Sequence, residues 1–182
     1  MKAMENRMRE VKELLFDRVP APKGAPFEAV LYAVDGDALC AVDFAGYESR
    51  MDQLLKRRYG QYRFVEARNP QGFGDRIAAY LAGDLASIND LPVSLGGTDF
   101  QRSAWLALRK IPAGATATYA AQAARIGKPQ AVRALGAANG QNPVAIVLPC
   151  HRVIGSDGAL TGFGGGIPTK AWLLKHEGAL LA

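Results

Sequence analysis

Asn142-Pro143-Val144-Ala145-Ile146-Val147-Leu148-Pro149-Cys150-His151-Arg152-Val153 is an apolar run that ends in a proline, a thiol and an imidazole. The 182 residues hold only two cysteines and two histidines, and one of each is adjacent here. The proline fixes the backbone immediately before the thiol. Only the thiolate is a good nucleophile, and a base nearby is needed to form it. The segment therefore predicts sulfur chemistry at a rigidly delivered cysteine.

A composition of 49% hydrophobic and 21% charged residues suits one or two compact domains with real cores. Cys40 and Cys150 are too few for a disulfide framework or a four-sulfur zinc site. No metal and no cofactor are expected. Met1 to Arg7 carry no apolar signal segment, and no stretch approaches the ~20 apolar residues of a membrane span. A reduced, cytoplasmic protein is the expectation, with a free thiol and no membrane association. Charge is uneven. Residues 1 to 94 hold 13 basic and 14 acidic residues, residues 95 to 182 hold 9 and 3, and all of the +5 net charge lies in the half with Cys150. A polyanion such as nucleic acid suits that half, although a basic domain without a special partner is also common.

The pattern before residue 92 predicts strands at Leu14–Phe16, Ala29–Ala33 and Ala38–Phe44, with turns at Pro20–Gly24 and Asp35-Gly36-Asp37. A helix over Gly46–Tyr59, a further strand at Tyr62–Val65 and a helix over Gln71–Gly83 follow. The expected architecture for 1–91 is a small antiparallel sheet covered by helices, with no chemistry of its own and Cys40 as a buried filler. Ala86–Pro92 reads as the connection to a second, mostly helical domain, 92–182, giving an α+β chain.

In that second half Thr98 can cap a helix running to Lys110, and Thr118 can cap a short helix, Tyr119–Ile126, closed by Gly127. Pro129 is placed in the first turn of a third helix, Pro129–Asn139. The last two make a helix-turn-helix candidate. Its second helix is not the usual base reader, since Arg133 is its one long cation. The small residues Ala131, Ala134 and Gly136 allow close backbone approach, which suits a narrow groove with Arg133 as probe or wedge. Tight packing against protein would select the same small residues. A glycine-rich loop, Gly155–Gly166, and a helix over Pro168–Glu177 with Trp172, Leu173 and Leu174 inward complete the chain.

Asn142-Pro143-Val144, Pro149-Cys150-His151-Arg152-Val153-Ile154-Gly155 and Trp172-Leu173-Leu174-Lys175-His176-Glu177-Gly178, with Ala131-Val132-Arg133-Ala134-Leu135-Gly136 upstream, resemble the O6-alkylguanine-DNA alkyltransferases of the stand-alone bacterial type. The specific match covers roughly 96–180, while the amino half is similar in length and pattern only. The resemblance implies a ribonuclease-H-like first domain and a winged helix-turn-helix-like second one. It implies repair of O6-alkylguanine in double-stranded DNA, bound through the minor groove by a monomer, by irreversible single-turnover transfer of the alkyl group to Cys150.

The roles implied are these. His151 is the base, acting on the thiol through a water; Glu177 orients the imidazole; Asn142 is the hinge bracing the thiol turn. Tyr119 helps turn out the nucleotide and donates a proton, and Arg133 fills the gap left in the stack. Thr118, Ala131, Ala134 and Gly136 lie against DNA. Cys150 and Val153 carbonyls accept from the guanine amine, with Phe163, Gly164, Gly165 and Lys170 at the pocket wall. Two positions depart from the pattern: Phe163 stands where relatives often have tyrosine, and Gly164 where some have serine. The glycines at 162, 164, 165 and 166 predict a roomy, mobile loop that accepts bulkier adducts and O4-alkylthymine.

Two other readings compete. A winged helix-turn-helix sensor would bind damaged DNA without repairing it, but it has no use for Cys150, His151 and Glu177 together. A cysteine hydrolase leaves the Arg133 helix and the charge asymmetry unexplained.

Overall fold

The computed structural model describes residues 11–179, and the expectation for Met1 to Arg7 lies outside them. β1 (Lys12–Pro20), β2 (Ala29–Asp35) and β3 (Ala38–Phe44) form an antiparallel meander. Gly36, at φ 61°, supplies the left-handed residue of the tight β2–β3 turn. α1 (Glu48–Tyr59) then crosses a face of the sheet, and β4 (Tyr62–Glu66) re-enters parallel to β1. The strand order is β3-β2-β1-β4. The expected antiparallel sheet is therefore corrected to a mixed one. The helical crossover is the reason, since parallel pairing needs a connection of that kind.

Residues alternate between the two faces. Ala29, Leu31, Ala33 and Cys40 meet Met51 and Leu55 of α1 on one side. Val30, Tyr32, Val34, Leu39, Val42 and Phe44 face the other way, against α2 (Phe73–Leu81) and the second half of the chain. Burial on both faces explains why β2 and β3 read as near-continuous apolar runs. Cys40 is a filler, as expected: it is buried, its thiol donates to Ala33 O at 3.4 Å, and burial pushes its pKa up to about 11.

The second half docks on the open edge of β3. Leu39 N donates to Pro92 O (2.9 Å), and Ser94 N to Leu39 O (2.8 Å). Further along the same edge, Val42 N donates to Pro143 O (2.9 Å) and Ala145 N to Val42 O (3.0 Å). The segment that leads to Cys150 is thus hydrogen-bonded to the sheet, and one apolar cluster runs from Val30 and Val42 through Trp105, Val144 and Leu148 to Leu173.

The helices of this half are α3 (Asp99–Ala107), α4 (Tyr119–Arg125), α5 (Val132–Gly140) and α6 (Ile167–His176). Thr98 forms a full capping box with Gln101, and Thr118 accepts from Ala121 N. Beyond Ala107 the chain continues only as a 3-10 turn, Leu108–Lys110. α5 begins at Val132 and not at Pro129. Lys128 O accepts from Ala131 N (2.9 Å), so Pro129 lies in the turn and Ala131 flanks the helix as its N-cap. The two-residue strands β5 (Ala117–Thr118) and β6 (Val153–Ile154) pair in parallel and tie the start of α4 to the chain just after Cys150. No helix among the described residues is long and apolar enough to cross a membrane.

Candidate active site

The loop from Asn142 to Cys150 is organised by one side chain. Asn142 is fully buried; its Oδ1 accepts from Val144 N (3.0 Å), and its Nδ2 donates to Leu148 O (2.7 Å) and to Cys150 Sγ (3.2 Å). An amide that bonds both ends of a turn and also touches sulfur fixes the thiol's position. Ile146 sits at φ 69°, a left-handed conformation that costs a β-branched residue on the order of 1–3 kcal/mol. The apolar cluster around Ile146, which is 2% exposed, holds it there. Cys150 opens a 3-10 turn, Cys150–Arg152, and is itself 7% exposed.

The imidazole beside it is completely buried. His151 Nε2 lies 3.0 Å from Glu177 Oε1. An ionised carboxylate can only accept, so Nε2 carries the proton and Nδ1 is left with its lone pair. Nδ1 is buried and has no hydrogen-bond partner in the protein. Glu177 is also gripped by Arg152, whose Nε donates to Oε2 and Nη2 to Oε1, both at 2.8 Å. Tyr80 OH donates to Oε1 at 2.7 Å, and Arg152 Nη1 donates to Ile111 O at 2.6 Å. Burial would raise the Glu177 pKa, but the bonds from His151 and Arg152 outweigh it and hold the carboxyl well below the usual range. Burial lowers the His151 pKa against the pull of Glu177, so the ring is neutral near pH 7. Burial also raises the Cys150 thiol, which the Asn142 amide and the charges of Arg50 and Lys170 only partly offset. A protonated thiol beside a neutral imidazole with one free nitrogen is a nucleophile and a base awaiting a proton path.

The walls are built from both halves. Lys170 is fully buried, and its Nζ donates to Val153 O (2.6 Å) and Thr161 O (2.9 Å). Tyr119 OH donates to the same Thr161 O (3.0 Å). Val153 N donates back to Cys150 O, so the Cys150 and Val153 carbonyls each keep one further acceptor position. The expected roomy loop is corrected. A Cβ at Gly164 would collide with the Arg50 guanidinium, one at Gly166 with Tyr47 OH, and one at Gly165 would lie 2.6 Å from the Phe44 ring. These glycines permit close packing against the first half. Phe163 continues the same contact, with its ring centroid 5.9 Å from that of Phe44 and 6.4 Å from that of His151.

α4 and α5 pack through Ala123, Leu135 and Ala138 against Ala104 of α3, and Gln122 and Asn139 pair side chain to side chain in the interior (2.7 Å). Gly127, at φ 71°, makes the turn after α4. Arg133 and Ala134 are exposed on α5, with Ala131 at its start. Gly136 lies under Tyr119, where a Cβ would be 3.9 Å from the ring. Thr118 is occupied as the cap of α4, its Oγ1 3.1 Å from Ala121 N.

The family described as 6-O-methylguanine DNA methyltransferase, DNA binding domain, matches residues 99–179. A methylated-DNA–protein-cysteine methyltransferase of Salmonella typhimurium is 52% identical over 145 residues, which span 79% of this chain and 85% of that protein. The chain belongs to the methylated-DNA–protein-cysteine methyltransferases. A Methanosarcina barkeri methyltransferase is 55% identical over 84% of this chain and 92% of its own. Mycobacterium tuberculosis OGT, solved in complex with DNA, superposes with a TM-score of 0.74 at 37% identity, covering 90% of this chain and 92% of that one. The O6-methylguanine-DNA methyltransferase of Pyrococcus kodakaraensis gives 0.71 at 25% identity, over 91% and 99%.

In this methyltransferase the structure brings Cys150, His151, Glu177 and Asn142 together, with Tyr119, Val153, Phe163, Gly164, Gly165 and Lys170 around the same loop. Four contributors were missed in the sequence. Arg152 carried a signal, because an arginine held in this motif next to a buried histidine needs a carboxylate. Tyr80, Arg50 and Asp43 carried none. They come from the half read as free of chemistry, and that expectation is corrected: Tyr80 bonds Glu177, while Arg50 and Asp43 lie behind the Cys150 loop.

Proposed function

We propose that Cys150 is the alkyl acceptor of this DNA-repair methyltransferase, with His151 as its base. What carries the assignment is the pairing of a buried thiol held by Asn142 with a buried imidazole whose one unpartnered nitrogen is Nδ1. The thiol proton passes through a water to Nδ1, and Glu177 stabilises the imidazolium that forms. Sulfur attacks the alkyl carbon, the S–C bond forms as the C–O6 bond breaks, and the guanine leaves with its negative charge. Tyr119 donates the proton that neutralises it. The thioether has no thiol placed to resolve it, since Cys40 is buried in the other cluster. Each molecule therefore acts once, without a cofactor.

A base inside a duplex is out of reach of a sulfur this deep, so the nucleotide must be flipped. Arg133 stands exposed on α5 to occupy the stack, with Ala131, Ala134, Gly136 and Thr118 against the minor groove. The winged helix-turn-helix reading is supported by α4, α5 and the β5–β6 pair. A ribonuclease-H-like first domain over 1–91, with the second over 92–182, is supported by the strand order and the parallel β1–β4 pair. A monomer in the reducing cytoplasm suits two free thiols, Cys40 and Cys150. The guanine amine takes the free acceptor positions on the Cys150 and Val153 carbonyls, with Lys170 holding the latter. Room for larger adducts, and for O4-alkylthymine, comes from the 161–163 side, because Gly164–Gly166 are packed.

The stoichiometry of transfer from a duplex carrying one O6-methylguanine tests the proposal: one methyl per protein and then arrest. Tight binding without transfer would favour a damage sensor. Arg133→Ala is expected to slow single-turnover transfer at saturating protein by roughly 10-fold or more, since an unstacked base costs a few kcal/mol. Transfer to a single-stranded substrate should change little, and equal slowing on both would remove Arg133 from the flipping step.

A further inference from the structure

We infer that Arg50 is a positioning residue for alkyl transfer: from the first half of the chain it holds the Asn142 turn so that Cys150 Sγ stays aimed at the pocket. The inference rests on Cys150 being the acceptor. Arg50 lies in the first turn of α1, and its Nη1 pairs with Asp43 Oδ2 of β3 at 2.6 Å. Asp43 is 2% exposed, and its Oδ1 accepts from Phe44 N (3.1 Å). With one edge seated on that carboxylate, the guanidinium turns Nη2 to two backbone carbonyls, Gly140 O (3.0 Å) and Asn142 O (2.9 Å). The Asn142 side chain then donates to Sγ. Asp43, Arg50, Asn142 and Cys150 form an unbroken chain of hydrogen bonds from the sheet to the sulfur.

Two further observations point the same way. Gly164 packs directly on the guanidinium, since any Cβ there would overlap it, so the same group also braces the glycine-rich loop. The contacts also need a planar fork. Arginine reaches a carboxylate and two carbonyls at once, whereas a lysine offers the charge without that geometry. Displacing a reacting atom by about 1 Å can cost on the order of 10²-fold in rate.

Charge gives a separable signature. The groups facing Cys150 are Arg50 of α1, Asp43 of β3, Lys170 of α6, Tyr119 of α4 and His151 beside it. Arg50 and Lys170 favour the thiolate, while Asp43 and burial oppose it. Removing the Arg50 charge should move the thiol titration to higher pH, and lysine should restore it.

The experiment compares the parent protein with Arg50→Gln, Arg50→Lys and Asp43→Asn. Single-turnover transfer from an O6-methylguanine duplex is measured at saturating protein across pH, beside DNA affinity and the folded fraction. Expected is a transfer rate roughly 10–100-fold lower for Arg50→Gln per folded molecule, with affinity within about threefold. Its alkaline rise should shift upward. Arg50→Lys should recover the pH profile but not the rate, and Asp43→Asn should lose rate through the loosened guanidinium. If Arg50→Gln does not fold, Arg50→Lys decides, and a parental rate in that variant overturns the inference. So does a parental rate and pH profile per folded molecule in all three variants. A parent that transfers nothing would instead defeat the assignment of Cys150, before any variant is read.

Discussion

Glu177→Ala is expected to lose about 3–5 kcal/mol of folding stability, the range for removing one partner of a buried charge pair. The Glu177 side chain is fully buried, and its carboxylate accepts from His151, Arg152 and Tyr80. Without it, Arg152 keeps its charge in the interior with only the Ile111 carbonyl and no counter-charge. Part of the loss should be visible as pH dependence in the parent protein. The folded-state pKa of Glu177 is held far below the ~4.3 of an unfolded glutamate. A depressed carboxyl contributes stability that is present above the unfolded value and lost as pH falls toward the folded one. Denaturant unfolding of the parent between pH 7 and pH 3 should therefore show an acid loss, and Glu177→Gln should show less of it. A Glu177→Ala protein within 1 kcal/mol of the parent would mean that the network contributes little.

His151→Gln is expected to slow alkyl transfer by roughly 10²–10⁴-fold near neutral pH, the usual worth of a positioned base. The pH dependence is more diagnostic than the size. In the parent, the proposed base is a neutral imidazole whose pKa lies below the ordinary ~6.5. The rate should be flat from pH 7 to 8 and fall only when the medium is acidic enough to protonate the ring. In His151→Gln, thiolate can form only by direct ionisation, and burial has moved the Cys150 pKa above its ordinary value. The rate should then climb with pH through the alkaline range with no plateau at neutrality. Stopped-time quench assays at saturating protein measure both profiles. A flat profile in the variant would show that another group takes the proton.

Much of the site was legible because its chemistry is local in sequence. Asn142, Cys150 and His151 lie within ten residues, and the apolar run between them has to bury itself. The capping residues Thr98 and Thr118 were readable for the same reason, since a cap is a short-range hydrogen bond. Glu177 was reached only through the motif resemblance, because nothing in a lone glutamate near a helix end indicates a partner 26 positions away. The first half shows what local patterns leave out. Its strands appeared at nearly the right places, but the parallel return of β4 depends on where α1 crosses the sheet. Tyr80, Arg50 and Asp43 sit on elements whose amphipathic pattern explains them fully as surface and core. The glycines of 164–166 illustrate a further gap: a glycine-rich run reads as freedom until the Arg50, Phe44 and Tyr47 side chains are seen to occupy the space a Cβ would need.

The central claim is that Cys150 takes the alkyl group and keeps it. The direct measurement is peptide mass analysis after incubation with an O6-methylguanine duplex, run beside Cys150→Ser. The account predicts one methyl per protein, carried by the peptide containing Cys150, restored guanine in the DNA, and no transfer to the serine variant. A methyl on Cys40 or another residue, or restored guanine with an unmodified Cys150, would contradict it.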